Sequence, residues 1–182
     1  NCLHRADLAD RAEEVGVQTM TSHGRTRCQF YKGTADCGSI VAVKSAVNIP
    51  VIANGDIVYS PTALRAFDLS GADGVMVGRG AQGQPWLLAQ IAAEVSGQTY
   101  TGVPQGSDLA DLILGHYEDM VRFYGPELGV RNARKHLGWY LERLEGGMDL
   151  RSLIIRENDP AVGLRRLADG LKNCAPVIEA AA

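Results

Sequence analysis

Apolar stretches rich in β-branched residues alternate with amphipathic stretches of helical length over the first half of the chain. Residues 47–53 (VNIPVIA) and 71–77 (GADGVMV) have the composition of buried parallel strands, and residues 15–21 (VGVQTMT) that of a weaker one. A helix is predicted over residues 6–14, and Pro61 begins another stretch with a helical apolar stripe. The pattern predicts three consecutive β/α units.

The second half of the chain has apolar residues at helical spacing and no strand-like stretch. One helix is predicted to end at Gly125 and a second one at Gly146. Two shorter helices follow, around residues 150–156 and after Asp159. These segments predict a small helical bundle.

These patterns divide the chain into three parts. Residues 1–95 contain the β/α units, residues 96–106 form a polar linker with glycine and proline, and residues 107–175 form the bundle. A closed TIM barrel needs eight strands and roughly 250 residues, which three units cannot supply. We therefore predict an α/β chain that is the C-terminal part of a TIM (β/α)8 barrel followed by a small all-α helical bundle, within a longer protein.

The composition is that of a globular chain expected in the cytoplasm. The chain is 46% hydrophobic and 21% charged with a net charge of −3, and no apolar run approaches the roughly 20 residues of a membrane span. A mildly acidic chain is not expected to coat nucleic acid over its whole surface, but a local basic face is compatible with it. Without a CxxC pair or a histidine at metal-ligand spacing, we predict free thiols and no metal site at Cys2, Cys28, Cys37 and Cys174.

Glycines and polar residues follow each predicted strand, in SHGRTR (22–27), ANGDI (53–57) and VGRG (77–80). A barrel binds its ligand at this end of its strands, and phosphate sites commonly follow the last two. Glycine lets backbone N–H groups approach a phosphate, and Arg79 can add a charge-assisted contact. Either of the last two motifs alone could be an ordinary turn, but together they predict a ligand that carries a phosphate.

Longer strings around these motifs resemble the bacterial tRNA-dihydrouridine synthases of the B type. The strings are HGRTRCQFYKG (23–33), IPVIANGDI (49–57) and GADGVMVGRGAQGQPW (71–86). The segments RNARKHL (131–137) and WYL (139–141) are similar to the C-terminal domain of that family. The resemblance covers most of residues 9–170.

The resemblance implies an FMN-dependent enzyme that reduces uridines of tRNA to 5,6-dihydrouridine with NADPH as the reductant. It implies that His23 contacts the flavin ring and that the phosphate is held by Asn54, Gly55, Asp56, Gly78 and Arg79. The catalytic cysteine and a flavin-contacting lysine of the family belong to the first half of the barrel. Cys28 is not assigned that role, and the chain by itself is expected to be inactive.

Contacts to tRNA are also implied by the resemblance. Arg131, Arg134 and Lys135 share one face of a predicted helix by their spacing, which would suit phosphates and make binding salt-dependent. The same face could instead be an ordinary solvated surface, because several glutamates are nearby in the sequence. At the mouth of the barrel, further RNA contacts are predicted at Arg25, Arg27 and Lys32.

Two departures from the family pattern and two alternatives accompany this interpretation. Ser22 stands where the family usually has an apolar residue, and Cys37 stands where it usually has tryptophan.

One alternative is another FMN-dependent barrel oxidoreductase, related to dihydroorotate dehydrogenase. The other is an RNA-binding or assembly module only, since an incomplete barrel exposes strand edges that favour self-association.

Overall fold

The structure is a computed structural model that describes residues 3–30 and 32–176. It has a mixed α/β fold with two compact units. Of the described residues, the first unit contains those up to 81 and residues 87–100, and the second contains residues 82–86 and those from 101 onward. None of the helices in the described ranges is long and apolar enough to cross a membrane.

The first unit is built on a three-stranded parallel sheet. Its strands are β1 (Met20–His23), β2 (Val51–Asn54) and β3 (Gly74–Met76), in the order β1-β2-β3. The register pairs Met20 with Val51 and Ile52 with Gly74. The prediction of a mixed α/β chain with a parallel sheet is confirmed.

Strand β1 lies further along the chain than its sequence predicted. It begins at Met20, whereas the apolar pattern predicted a start at Val15. Backbone N–H groups of Val15, Gly16 and Val17 donate to carbonyls of the preceding helical turns, and Val15 is 83% exposed. The β-branched Val15 and Val17 therefore belong to the turn after the preceding helix. The predicted start of β1 was wrong by five residues.

Four helices pack around the sheet. They are α1 (Leu3–Glu14), α2 (Val41–Ala46), α3 (Ser60–Ser70) and α4 (Leu87–Val95). Helix α3 begins with Pro61 in its first turn and ends at Gly71, whose φ of +62° is in the left-handed region. The predicted β/α pattern implied a helix between β1 and β2 without giving its bounds, and α2 follows a 3-10 turn at Cys37–Ile40.

Two apolar clusters form the core of the first unit. One joins residues of α1, α2 and β2, and the other joins α3, α4 and the 3-10 turn before α2. Cys37 lies in the second cluster, and burial raises the pKa of its thiol. Cys28, Cys37 and Cys174 are free thiols, whereas Cys2 lies outside the described residues.

The second unit is helical except for one short ladder. Its helices are α5 (Gly106–Tyr124), α6 (Pro126–Leu141), α7 (Gly147–Ile154) and α8 (Pro160–Leu171). An antiparallel ladder joins β4 (Leu144–Glu145) to β5 (Ala175–Pro176), so the prediction of an all-α unit is wrong in this detail. Two paired residues per strand leave no periodic pattern that a sequence reading could detect.

Helices α5 and α6 pack closely because one residue on their contact is glycine. A Cβ on Gly129 would lie 2.6 Å from the Cα atom of Val121, which leaves no room for any side chain. The core around this contact includes the fully buried Ile113, Leu141 and Leu167. The Asp159 carboxylate caps α8 by accepting the N–H groups of Ala161 and Val162.

A small polar cluster lies between α5 and α6. Nδ1 of His116 is 3.0 Å from the hydroxyl of Tyr140, and the rings of His116 and His136 are 5.0 Å apart. Burial raises the pKa of Tyr140 to about 12, so its hydroxyl keeps its proton, and the tautomer of His116 decides which of the two groups donates. Burial, followed by the nearby His136, lowers the pKa of His116 despite the opposing charge of Asp119. Burial and the charge of Lys135 lower the pKa of His136.

Acid is expected to destabilise the protein through this cluster. The folded state binds protons on these histidines less readily than the unfolded chain, so the free energy of unfolding should fall as the pH drops through their ordinary pKa of 6.5. The change is measured by urea unfolding at about pH 7.5 and about pH 5.5, with His116→Gln as the comparison. If the free energy of unfolding had the same pH dependence in the wild type and in the variant, this role of His116 would be contradicted.

Candidate functional site

The carboxyl ends of the three strands are aligned and hydrogen-bonded to each other. His23 pairs in register with Asn54, and Asn54 pairs with Met76. The N–H of Gly24 donates to the carbonyl of Asn54 at 2.9 Å, and the side-chain amide of Asn54 donates to the carbonyl of Met76 at 2.9 Å. The segments that leave the strands therefore start from fixed neighbouring positions.

These strand ends border an open cleft of about 500 Å³. All six residues predicted to bind the cofactor line this cleft, namely His23, Asn54, Gly55, Asp56, Gly78 and Arg79. Four further residues line the cleft, namely Ile57, Val58, Met76 and Gly80. Ile57 and Gly80 belong to the strand-exit motifs identified in the sequence. Val58 and Met76 were missed, because an apolar residue near the end of a strand cannot be distinguished in the sequence from a buried core residue.

The backbone after β2 takes an uncommon path. Gly55 has a φ of +137° and Asp56 a φ of +53°, so two successive residues lie at positive φ. A Cβ on Gly55 would lie 2.6 Å from the Cβ of Ala35 and 3.5 Å from Cε1 of His23. Only glycine fits this position, and the tight path turns the next residue toward the β1 loop.

The Asp56 carboxylate accepts hydrogen bonds from both ends of that loop. Its two oxygens each receive an N–H of the Arg25 guanidinium at 2.7 Å, and one also accepts the backbone N–H of Ala35 at 2.8 Å. The Arg79 guanidinium lies 3.9 Å away. The hydrogen bond from Arg25 lowers the pKa of Asp56, assisted by Ala35 and by the two positive charges, against a smaller effect of burial.

The imidazole of His23 has a defined tautomer in this arrangement. Its Nδ1 accepts the backbone N–H of Arg25 at 2.9 Å, so the proton of the neutral ring is on Nε2. His23 also lines the cleft. The side chain can therefore present an N–H donor to a ligand while its own loop holds the other nitrogen.

The backbone beside Arg79 has the open, glycine-rich form that suits an anion. No described atom lies within 4 Å of the Cβ that alanine would place at Gly78, and the Arg79 side chain is 57% exposed. Gly80 is buried and packs against the backbone of Ile57 and Val58, which joins the exits of β2 and β3. The segment can approach a phosphate from one side while the other side is held by packing.

The basic residues predicted to contact RNA differ in their availability. Arg27, Lys32, Arg131 and Lys135 are exposed. The Arg25 side chain is only 6% exposed, and its remaining N–H groups donate to the carbonyls of Lys32 and Gly33. Its geometry favours a structural role, and its predicted RNA contact stays a prediction.

Arg134 is also occupied within its own unit. Its guanidinium donates to the carbonyl of Glu157 and to Oδ1 of Asn158, at 3.0 and 2.7 Å. These contacts connect α6 to the turn before α8. Of the three residues predicted on this helix face, Arg131 and Lys135 are the more available to a partner.

Comparison with known proteins identifies the family. The family model described as dihydrouridine synthase matches residues 1–175. This chain belongs to the dihydrouridine synthase family. The resemblance seen in the strand-end motifs and in the helical segments is thereby confirmed.

Individual relatives of this chain have names that agree with the family. It is 53% identical over 162 residues to a probable tRNA-dihydrouridine synthase of Rhodobacter capsulatus, a match that covers 89% of this chain and 49% of the relative. It is 44% identical to one of Rickettsia conorii, over 93% of this chain and 51% of the relative. It is 45% identical to tRNA-dihydrouridine synthase B of Vibrio vulnificus, over 83% of this chain and 46% of the relative. The chain thus spans about half the length of these relatives.

Proposed function

We propose that this chain is part of a cytoplasmic tRNA-dihydrouridine synthase that uses FMN and NADPH to reduce uridine in tRNA to 5,6-dihydrouridine. The observation that carries the proposal is the cleft at the aligned strand ends, because all six residues expected to bind the flavin nucleotide line it. The names of the relatives support the substrate. The part of the protein that supplies the proton-donating cysteine is proposed to lie outside this chain.

The proposed architecture is the end of a TIM barrel followed by a tRNA-binding domain. Residues 1–95 would provide the last β/α units, residues 96–106 the linker and residues 107–175 the helical domain. A cleft of about 650 Å³ lies beside β1. Its apolar part, lined by residues of α1 and by Met20, suits a neighbouring β/α unit, while polar residues of β1 and its loop line the rest. Without that unit, the open edge of β1 would favour self-association.

The residues present fit a flavin nucleotide. Bound FMN would supply the hydride chemistry of the reaction. Gly78 and Arg79 offer a phosphate an open backbone segment and a positive charge, and Asn54 and Gly55 bring a second backbone segment to the same cleft. The Nε2–H of His23 would donate to the electron-rich edge of the isoalloxazine ring and stabilise charge that develops there.

Asp56 contributes to this proposed site in a different way from the other residues. A carboxylate repels a phosphate, and both of its oxygens already accept hydrogen bonds. We assign to its side chain the fixing of the β1 loop, and only its backbone remains suited to the cofactor. Exposed Arg27 and Lys32 in that loop, and Arg131 and Lys135 on α6, are the proposed contacts to tRNA phosphates.

The decisive experiment uses the complete gene product that contains this chain. The wild type is expected to be yellow with bound flavin and to form dihydrouridine in tRNA when NADPH is added. The double variant Asn54→Ala/Arg79→Ala should bind flavin roughly 10- to 100-fold more weakly, since it loses a charge-assisted contact and the amide that ties β2 to β3. Flavin content is read from the visible spectrum and dihydrouridine by nucleoside mass spectrometry.

The exposed pair Asp119→Ala/Arg122→Ala on α5 is the matched control, because it also removes one arginine and one polar partner. It should retain flavin. Colourless wild-type protein that binds tRNA without modifying it would leave only an RNA-binding module. Yellow protein that leaves tRNA unchanged would favour another FMN-dependent oxidoreductase.

A further inference from the structure

The loop that follows β1 is held at both ends by one side chain. Arg25 and Ala35 each donate to the Asp56 carboxylate, at 2.7 and 2.8 Å, and Asp56 lines the candidate cofactor cleft. The chain therefore leaves the sheet edge at Arg25 and returns to the same point at Ala35. Phe30 lies at the centre of this segment.

Hydrogen bonds within the loop give its tip a defined conformation. The N–H of Phe30 donates to the carbonyl of Arg27 at 3.3 Å, and the N–H of Lys32 donates to the carbonyl of Gln29 at 2.9 Å. The Gln29 side chain accepts from the backbone and the hydroxyl of Thr26. Phe30 is thus part of an ordered turn.

Phe30 is an unfavourable residue for the position that it occupies. Its φ of +48° and ψ of −111° lie in a region that bulky residues rarely adopt and that glycine tolerates. Phe30 is also 73% exposed, so packing within this chain does not compensate for the conformation. The turn closed by the Lys32 N–H requires positive φ at its second position, where glycine is the usual residue, so the use of an exposed phenylalanine there points to a contact made by its side chain.

The charges around Phe30 indicate the chemistry of that contact. Residues 26–35 include Arg27 and Lys32, both exposed, and no acidic residue. Exposed aromatic residues and cations in the same loop are a combination by which proteins hold unpaired nucleotides, since the ring stacks on the base and the cations contact the phosphates. The nearby Arg25 is compensated by Asp56 and serves to hold the loop.

We propose that Phe30 is a stacking platform for an unpaired base of the RNA substrate, beside the cofactor cleft. This inference rests on the proposed function for the identity of the RNA. Loss of one base–aromatic stack is expected to weaken RNA binding by roughly 5- to 100-fold. Phe30 would act in binding, so its loss should raise the KM for tRNA more than it lowers kcat.

The test compares three substitutions of Phe30 in the complete gene product. Phe30→Trp should keep the affinity for unmodified tRNA, because its ring also stacks, whereas Phe30→Leu should lose it. Phe30→Gly should lose the affinity and yet unfold at an equal or higher temperature, because glycine relieves the backbone strain. Affinity is measured by fluorescence anisotropy with labelled tRNA, and stability by thermal unfolding.

Leu69→Ala is the control, since Leu69 is a 45% exposed apolar residue of α3 outside the proposed RNA contacts, and its loss should leave the affinity unchanged. Equal affinity of Phe30→Leu and wild type would overturn the inference. A Phe30→Gly protein that lost stability as well as affinity would also overturn it, because that result would assign Phe30 to packing. Wild-type protein that forms no dihydrouridine would refute the proposed function independently of the Phe30 variants.

Discussion

Asp56→Ala is expected to lower the free energy of unfolding by about 2–3 kcal/mol, because it leaves the Arg25 guanidinium buried without its partner. The backbone N–H of Ala35 loses its acceptor in the same variant. The value lies below the usual cost for a fully buried pair since Asp56 itself is 33% exposed. Urea unfolding of wild type and variant at neutral pH measures the difference.

The pH dependence of this difference provides a second check. The pKa of Asp56 is lowered in the folded state, so its contribution is complete above the ordinary pKa of 3.8 and is lost as the pH falls further. Asp119→Ala is the control, because its ion pair with Arg122 is exposed and should contribute less than about 1 kcal/mol. Equal destabilisation by the two variants would show that the Arg25–Asp56 pair does not hold the loop.

Gly55→Ala is expected to destabilise the protein by about 3 kcal/mol and to abolish flavin binding. The added methyl group would lie 2.6 Å from the Cβ of Ala35, and a φ of +137° is strained for any residue with a side chain. Relief requires the β2 exit to move away from the β1 loop, which displaces two sides of the cofactor cleft. Chemical unfolding and the flavin spectrum of the complete gene product report the two effects.

Gly115→Ala makes the same chemical change at a position where the added methyl group is expected to cause no clash. Gly115 lies inside α5, and no described atom is within 4 Å of the added Cβ. Alanine is the better helix former, so this variant should be more stable by up to about 1 kcal/mol and keep its flavin. A Gly55→Ala protein as stable and as yellow as wild type would contradict the described path of the chain after β2.

The parallel sheet and the cleft at its edge could be predicted because each depends on local patterns. Residues 47–53 and 71–77 were identifiable as strands from composition. Once the strands are parallel, their carboxyl ends must meet, so the three polar motifs were expected to come together. The start of β1 could not be predicted, since Val15 and Val17 have strand-forming side chains but lie in a turn.

The interactions within the cleft could not be predicted from the sequence. Arg25 and Asp56 are separated by 31 positions, and their pairing depends on the path of the loop and on the positive φ of Asp56. Local sequence signals do not contain that path. For the same reason, a buried structural arginine could not be distinguished from the exposed Arg27 two residues later.

The attachment of the β1 loop also affects how such a site can diverge. The ends of the loop are fixed through Arg25, Ala35 and Asp56, while the residues between them form hydrogen bonds chiefly among themselves. Insertions or substitutions at the tip would therefore alter the exposed surface of the loop without shifting the strands or His23. Selection could exchange this segment as a module while the cleft at the strand ends is inherited intact.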